Sequence, residues 1–333
     1  MTITLKDVAE RAGVSRSAVS RTFTKGASVS ARTRARVEAA ARELGYCPNV
    51  LARGLTTGRT RLIGLVSDNF TNPYFLQIFD RFTIGLQEAG LRPLLVNLSG
   101  ALDAAAALRM LRQYSVDGVI VASSTLPPDF AGAFRGAGLP VIHAFGWSSA
   151  TPPTALAGID NVAAGRLAAR TLLARGYRRL GFLGGPPEAQ TTRDRLQGLR
   201  ADLEGAPGAT LSVSHARAYS HAAGQAEMAR LLGQGTPAEA YFCGDDVIAI
   251  GALAAVRAAG LSVPGDIGLL GLNDMEMAGW DNIALTTIRQ PLEAIVAAAI
   301  DLVRERIDRP DTGQSTRLFA PEIVERATLR RTR

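Results

Sequence analysis

The segment Thr4–Arg21 reads TLKDVAERAGVSRSAVSR and divides into two short helices with a glycine between them. Leu5, Val8, Ala9 and Ala12 recur at helical spacing on one face. Thr4 can cap the first helix, with Asp7 close behind at the positive end of its dipole. Gly13 stops that helix and permits a tight turn. Ser15 caps a second helix that turns Ala18 and Val19 inward and ends near Phe23. Arg16, Ser17, Ser20 and Arg21 fall on its polar side. Two helices joined in this way form a helix-turn-helix, whose second helix can enter the DNA major groove and meet base edges. A helical hairpin with solubilising arginines is the competing interpretation, and charge placement separates the two.

Residues 1–60 hold 11 Lys and Arg against 4 Asp and Glu, a surplus equal to the formal net charge of +7 of the whole 333-residue chain. The remaining residues balance. A basic head on a neutral body is the footprint of phosphate binding. Ser30 caps a third helix, Ala31–Leu44, with Val37, Ala40, Ala41 and Leu44 inward, and Gly45 and Tyr46 close it. The expected division is a helix-turn-helix DNA-binding domain over 1–46, a hinge helix and linker over 47–60, and a core over 61–333. Pro48 forbids helix continuation, so Asn49–Leu55 is a separate seven-residue helix, too short to stand alone in water. Its order is therefore conditional on a partner, which is a physical basis for a switch.

From Arg61 onward strands alternate with helices: RLIGLVSD at 61–68, helix 73–89, three further strands with helices 103–113 and 128–137, then a second series from ALAGID at 155–160 to a final strand near 316–325. Alternation of this kind predicts doubly wound parallel sheets covered on both faces. Two series predict two lobes, approximately 61–160 plus 291–320 and 161–290 plus 321–333, with a ligand cleft at the carboxyl ends of the strands. The residues just after strands are the candidates. Arg193 and Arg195 open a helix and can bind hydroxyls or anions through paired N–H groups. Tyr74 and Phe75 can stack on a ligand or pack in the core, and Trp147 and Trp280 share that ambiguity. Asp245 and Asp246 predict one ligand contact plus one structural cap.

Other function classes find little support. Hydrophobic residues make 47% of the chain and charged ones 20%, as in a soluble globular protein. No apolar run reaches the roughly 18 residues that span a bilayer, and MTITLKDVAERAG has no secretory core, so a cytoplasmic protein without membrane contact is expected. Cys47 and Cys243 suggest no disulfide framework, and His143, His215 and His221 no metal spacing. GFLGGPPEAQ lacks the phosphate-loop pattern and no nucleophile motif occurs, so neither enzyme, cofactor nor metal is expected. A transport-type solute-binding protein conflicts with the basic head. A sugar kinase carrying a DNA-binding head needs the missing phosphate loop.

These segments carry a family resemblance. TLKDVAERAGVSRSAVSR and VSARTRARVEAAARELGYCPNVLARGL resemble the head and hinge of LacI-type transcriptional repressors. IGLVSDNFTNPYF, DNVAAGRLAARTLLARGYRRLGFLGG, RDRLQGLR, CGDDVIAIGALAAVRAAGL, PGDIGLLGLND and LTTIRQP resemble that family's effector-binding core in order and spacing. The resemblance implies an all-α helix-turn-helix head on an α/β two-lobed periplasmic-binding-protein-like core. It implies a homodimer or tetramer, a pseudo-palindromic double-stranded operator, and a small effector, sugar-like or a sugar acid. Arg16, Ser17 and Arg21 take the base-reading positions, with Thr4, Ser15 and Ser20 beside them; Asn49, Ala52, Arg53 and Leu55 take hinge positions, Leu55 as a minor-groove wedge. Phe75, Arg195, Asp245 and Asn273 take effector positions, Asp160 a further one, and Tyr74, Ser123, Phe145, Arg193 and Trp280 complete the candidates. Asn273 stands where many members have Asp, Asp245 where many have Asn, and Phe145 where a polar residue is common.

Overall fold

The computed structural model describes residues 3–24, 26–47, 58–98, 104–123, 125–126, 133–134, 136–146, 155–235, 237–310, 313 and 315–331. The chain divides into two units, Met1–Thr60 and Arg61–Arg333. Asn49, Ala52, Arg53, Leu55 and Trp147 lie outside the described residues, as does most of the helix expected at 128–137.

The first unit is built on α1 (Leu5–Ala12), α2 (Arg16–Thr22) and α3 (Ala31–Leu44). Thr4 closes a capping box: its hydroxyl accepts from the Asp7 N–H, and the Asp7 carboxylate accepts from the Thr4 N–H at 2.7 Å. Gly13 and Gly45 end α1 and α3 at φ 60° and 66°, in the left-handed region where a side chain is strained. Val8, Ala12, Val19, Val37 and Ala41 are buried together, with the Phe23 and Tyr46 rings 5.9 Å apart beside them. Part of the basic surplus is structural. Arg36 donates to the Ala12 carbonyl at 2.6 Å, Arg34 to the Thr22 carbonyl at 2.9 Å, and Arg11 pairs with Glu43. The first two satisfy carbonyls at helix ends that have no helical partner.

The second unit holds two six-stranded sheets. Its chain runs β1 (Leu62–Ser67), α4 (Pro73–Glu88), β2 (Arg92–Asn97), α5 (Ala104–Gln113), β3 (Gly118–Ala122), β4 (Val141–Ala144) and β5 (Ala155–Ile159). It crosses into α6 (Asn161–Ala174), β6 (Arg179–Gly184), α7 (Gln190–Leu203), β7 (Thr210–His215), α8 (His221–Gly233), β8 (Ala240–Cys243), α9 (Asp246–Ala258), β9 (Gly268–Asn273) and β10 (Thr287–Arg289). It returns through α10 (Leu292–Asp308) to β11 (Ser315–Phe319), and ends with β12 (Glu322–Val324).

The first sheet has the order β11-β5-β4-β3-β1-β2 with parallel neighbours throughout. The second has the order β12-β10-β9-β8-β6-β7 and is parallel except for β12. β3, with the sequence GVIVA, is buried at every position, as a parallel strand covered on both faces must be. The single strand expected near 316–325 is two strands in two sheets. Pro321 separates them, because it has no N–H for a ladder. Among the described residues no helix is long and apolar enough to cross a membrane.

Candidate functional site

Two surfaces qualify. On the head, Thr4, Ser15, Arg16, Ser17, Ser20 and Arg21 are all exposed. Local bonds separate them. The Thr4 hydroxyl is committed to Asp7, and Ser15 caps α2 by accepting from Ala18 N at 3.2 Å. Arg21 makes only a long 3.4 Å contact to the Ser17 carbonyl. Arg16 and Arg21 therefore offer their guanidinium forks outward from the first and last turns of α2.

In the second unit the ends of the strands supply a cleft. Asn69 and Asn72 follow β1, Ser123 and Thr125 follow β3, and Phe145 follows β4; Thr191 and Arg195 stand on α7, Tyr219 follows β7, Asp245 follows β8, and Asn273 ends β9. Gln290 joins them from the crossover between β10 and α10, and Tyr74, Phe75 and Ile78 of α4 form an apolar wall. Together they line a small cavity of about 50 Å³. The first lobe contributes three of the four rings together with Asn69, Asn72, Ser123 and Thr125, and the second lobe contributes mostly polar groups. Phe145 and Asn273 both hold positive φ, 69° and 128°. Strained backbone of this kind clusters at ligand clamps.

Arg195 is almost fully buried. Its Nε donates to Asn161 Oδ1 at 2.8 Å and its Nη1 to the Gly244 carbonyl at 2.6 Å, which fixes the plane of the guanidinium and leaves Nη2 unused. Burial holds it below its usual pKa. The Asp245 carboxylate accepts from Val247 N at 2.8 Å, Asn273 Nδ2 at 2.9 Å and Asn72 Nδ2 at 3.1 Å. Burial pushes its pKa up to about 6, against those donors and the Arg195 charge. Asp246 accepts from Met275 N at 2.8 Å and Thr287 Oγ1 at 2.5 Å, and burial pushes it up to about 7. Asp245 is thus both cavity wall and helix cap, whereas Asp246 locks β9 and β10 and is not the cap. A carboxyl raised in the folded state contributes stability at low pH that fades as pH rises through the window between about 4 and 7.

Gln290 donates to Asn273 Oδ1 at 2.6 Å, so the amide of Asn273 is oriented from both sides. Gln290 Oε1 and the Tyr74 hydroxyl are buried without a partner.

Tyr74, Phe75, Ser123, Phe145, Arg195, Asp245 and Asn273 come together at the cavity. Three other candidates do not. Asp160 is exposed and caps α6 through Ala163 N at 2.9 Å. Arg193 turns back onto the Glu188 carbonyl at 2.6 Å and Gln190 at 2.7 Å. Trp280 is half exposed on a loop away from the lining residues. Ser123 has little capacity left for a ligand: it donates to Asp68 at 2.6 Å and accepts from Thr125 N and Leu126 N. Asn69, Asn72, Ile78, Thr125, Thr191, Tyr219 and Gln290 were not among the expected residues. Asn69, Asn72, Thr125 and Thr191 lie shortly after β1, β3 and β6, where the strand-end rule already points.

Comparison with known proteins agrees with this geometry. A family model described as bacterial regulatory proteins, lacI family, matches residues 4–49, and one described as a periplasmic binding protein-like domain matches 169–329. The chain is 34% identical over 330 residues to the HTH-type transcriptional repressor PurR of Proteus mirabilis (strain HI4320), covering 98% of this chain and 96% of that protein. Among solved structures, the lac repressor dimer bound to operator and the anti-inducer ONPF has a TM-score of 0.87 at 27% identity, covering 98% of this chain and 99% of that one. A complex of the transcriptional regulator CelR with cellobiose has a TM-score of 0.74 at 29% identity, covering 98% and 99%.

Proposed function

We propose a function from the premise that this chain belongs to the lacI family of bacterial regulatory proteins: it is an operator-binding repressor whose DNA affinity is set by a neutral polyhydroxy ligand held between its two lobes. The observation that carries the ligand reading is the lining of the cleft. One buried guanidinium, Arg195, faces one buried carboxylate, Asp245, among amides and hydroxyls and opposite an aromatic wall. The two charges offset, so a sugar acid gains little from Arg195 that Asp245 does not oppose. A neutral sugar or polyol suits both walls, its C–H face against Phe75 and Phe145 and its hydroxyls toward Arg195, Asn273 and Gln290. The cellobiose held by CelR and the operator held by the lac repressor dimer support the two halves of this reading.

Lys and Arg of the head position a homodimer on phosphates, while Arg16, Ser17 and Arg21 read base edges of two half-sites. Residues 47–60 act as the connector. Ligand and operator are linked through the same protein, so each must change the affinity of the other equally.

Two measurements test these assignments. In gel-shift titrations, Arg16→Ala and Arg21→Ala each reduce the ratio of operator to random-duplex binding by about tenfold or more, the worth of a lost bidentate contact to guanine. Full sequence preference in both variants refutes the assigned readers. In a thermal-shift panel of neutral sugars, polyols and sugar acids, a neutral compound stabilises the protein by mass action. Selective stabilisation by a sugar acid refutes the neutral assignment.

A further inference from the structure

Asn72 precedes α4 in the first lobe, and Asp245 caps α9 in the second. Their side chains meet directly, Asn72 Nδ2 donating to Asp245 Oδ2 at 3.1 Å, with the two residues 1% and 5% exposed. We propose that this bond is a latch that holds the two lobes closed on each other before any effector arrives, with Asn72 as its positioning residue. For the effector, the consequence rests on the cleft being its site: entry and exit require the latch to open.

The direction of the bond is fixed at one end. Asn72 Oδ1 accepts from Tyr74 N at 3.1 Å, so the NH₂ group must face across the cleft. Asp245 Oδ1 accepts from Val247 N, leaving Oδ2 for the two amides of Asn72 and Asn273. Asn273 passes the chain to Gln290 on the crossover. The network therefore runs from the first lobe through the second to the segment that joins them. A buried carboxylate receiving three N–H groups is strongly held, and removing one donor costs more than a neutral hydrogen bond. Arg195 spends Nε on Asn161 and Nη1 on the Gly244 carbonyl, both in the second lobe, and makes no hydrogen bond across the cleft that substitutes for the latch.

The same geometry allows the polarity of the latch to be reversed. Asp245→Asn alone places an NH₂ group against that of Asn72, and Asn72→Asp alone places two carboxylates together. In the double variant, the carboxylate at position 72 still accepts from Tyr74 N and also from the amide at position 245. Asn273 and Gln290 then turn over, and Gln290 can do so because its Oε1 has no partner to lose.

Hydrogen exchange by mass spectrometry on full-length, effector-free protein tests the proposal. Each single variant is expected to speed exchange about tenfold in peptides spanning 68–79 and 240–250, and the double variant to return most of that protection. A double variant that exchanges as fast as the singles combined overturns the latch, as do singles that leave both peptides unchanged. Should a single variant fail to fold, Asn72→Ser keeps the helix cap and removes only the reaching amide; unchanged exchange at 240–250 in that variant also overturns the proposal. The absence of ligand throughout keeps a failed latch distinct from a failed effector site.

Discussion

Gly198→Ala is expected to lower the melting temperature by about 5–10 °C and to abolish the response to effector, as read by thermal shift with and without ligand. α6 and α7 cross with glycine facing backbone on both sides. A Cβ at Gly198 would stand 1.9 Å from the Val162 carbonyl oxygen, and one at Gly165 would stand 2.1 Å from the Arg195 carbonyl oxygen. Neither obstruction is a side chain that can rotate away, so the helices must separate. Because α7 carries Thr191 and Arg195, the separation also displaces cavity donors. Gly205→Ala is the control, since nothing lies within 4 Å of its Cβ position. A normal melting temperature in Gly198→Ala would contradict the crossing geometry.

Arg195→Ala is expected to eliminate ligand stabilisation altogether while leaving effector-free operator binding intact. The substitution strips donors from Asn161 Oδ1 and the Gly244 carbonyl, and removes the positive charge that favours the ionised form of Asp245. Leaving buried acceptors unmet costs about 3 kcal/mol, or a fall of about 6–12 °C in melting temperature. Arg195→Lys should recover little, because one ammonium cannot reproduce the fixed fork that holds both acceptors. Ligand stabilisation of wild-type size in Arg195→Ala would remove this residue from the site.

The legible parts of the chain are those decided locally. Thr4, Ser15 and Ser30 as caps, and Gly13 and Gly45 as helix ends, depend only on the few residues around them, and all five are found in those roles. The strand-end rule located most of the cavity for a related reason, since parallel topology forces loops to one edge of each sheet. It does not reach Gln290, which enters from a crossover, or Ile78, which lies inside α4. Spacing alone does not separate Arg193 from Arg195, and only the family resemblance favours Arg195. Side chains two apart on a helix point about 200° from each other, so at most one faces the cleft, and only the packing of α7 against α6 selects it. Asp160 carries a local signal of its own, separate from the cleft. An aspartate directly before a helix is first of all a cap. Trp280 and Ser123 show the opposite limit, because exposure and hydrogen-bond capacity are set by residues distant in sequence.

The most direct measurement selects duplexes from a random library with the full-length protein, with and without the cleft ligand identified by thermal shift. The account predicts a two-fold symmetric consensus whose enrichment changes when that ligand is present. No consensus, or a consensus enriched identically in both conditions, would contradict it.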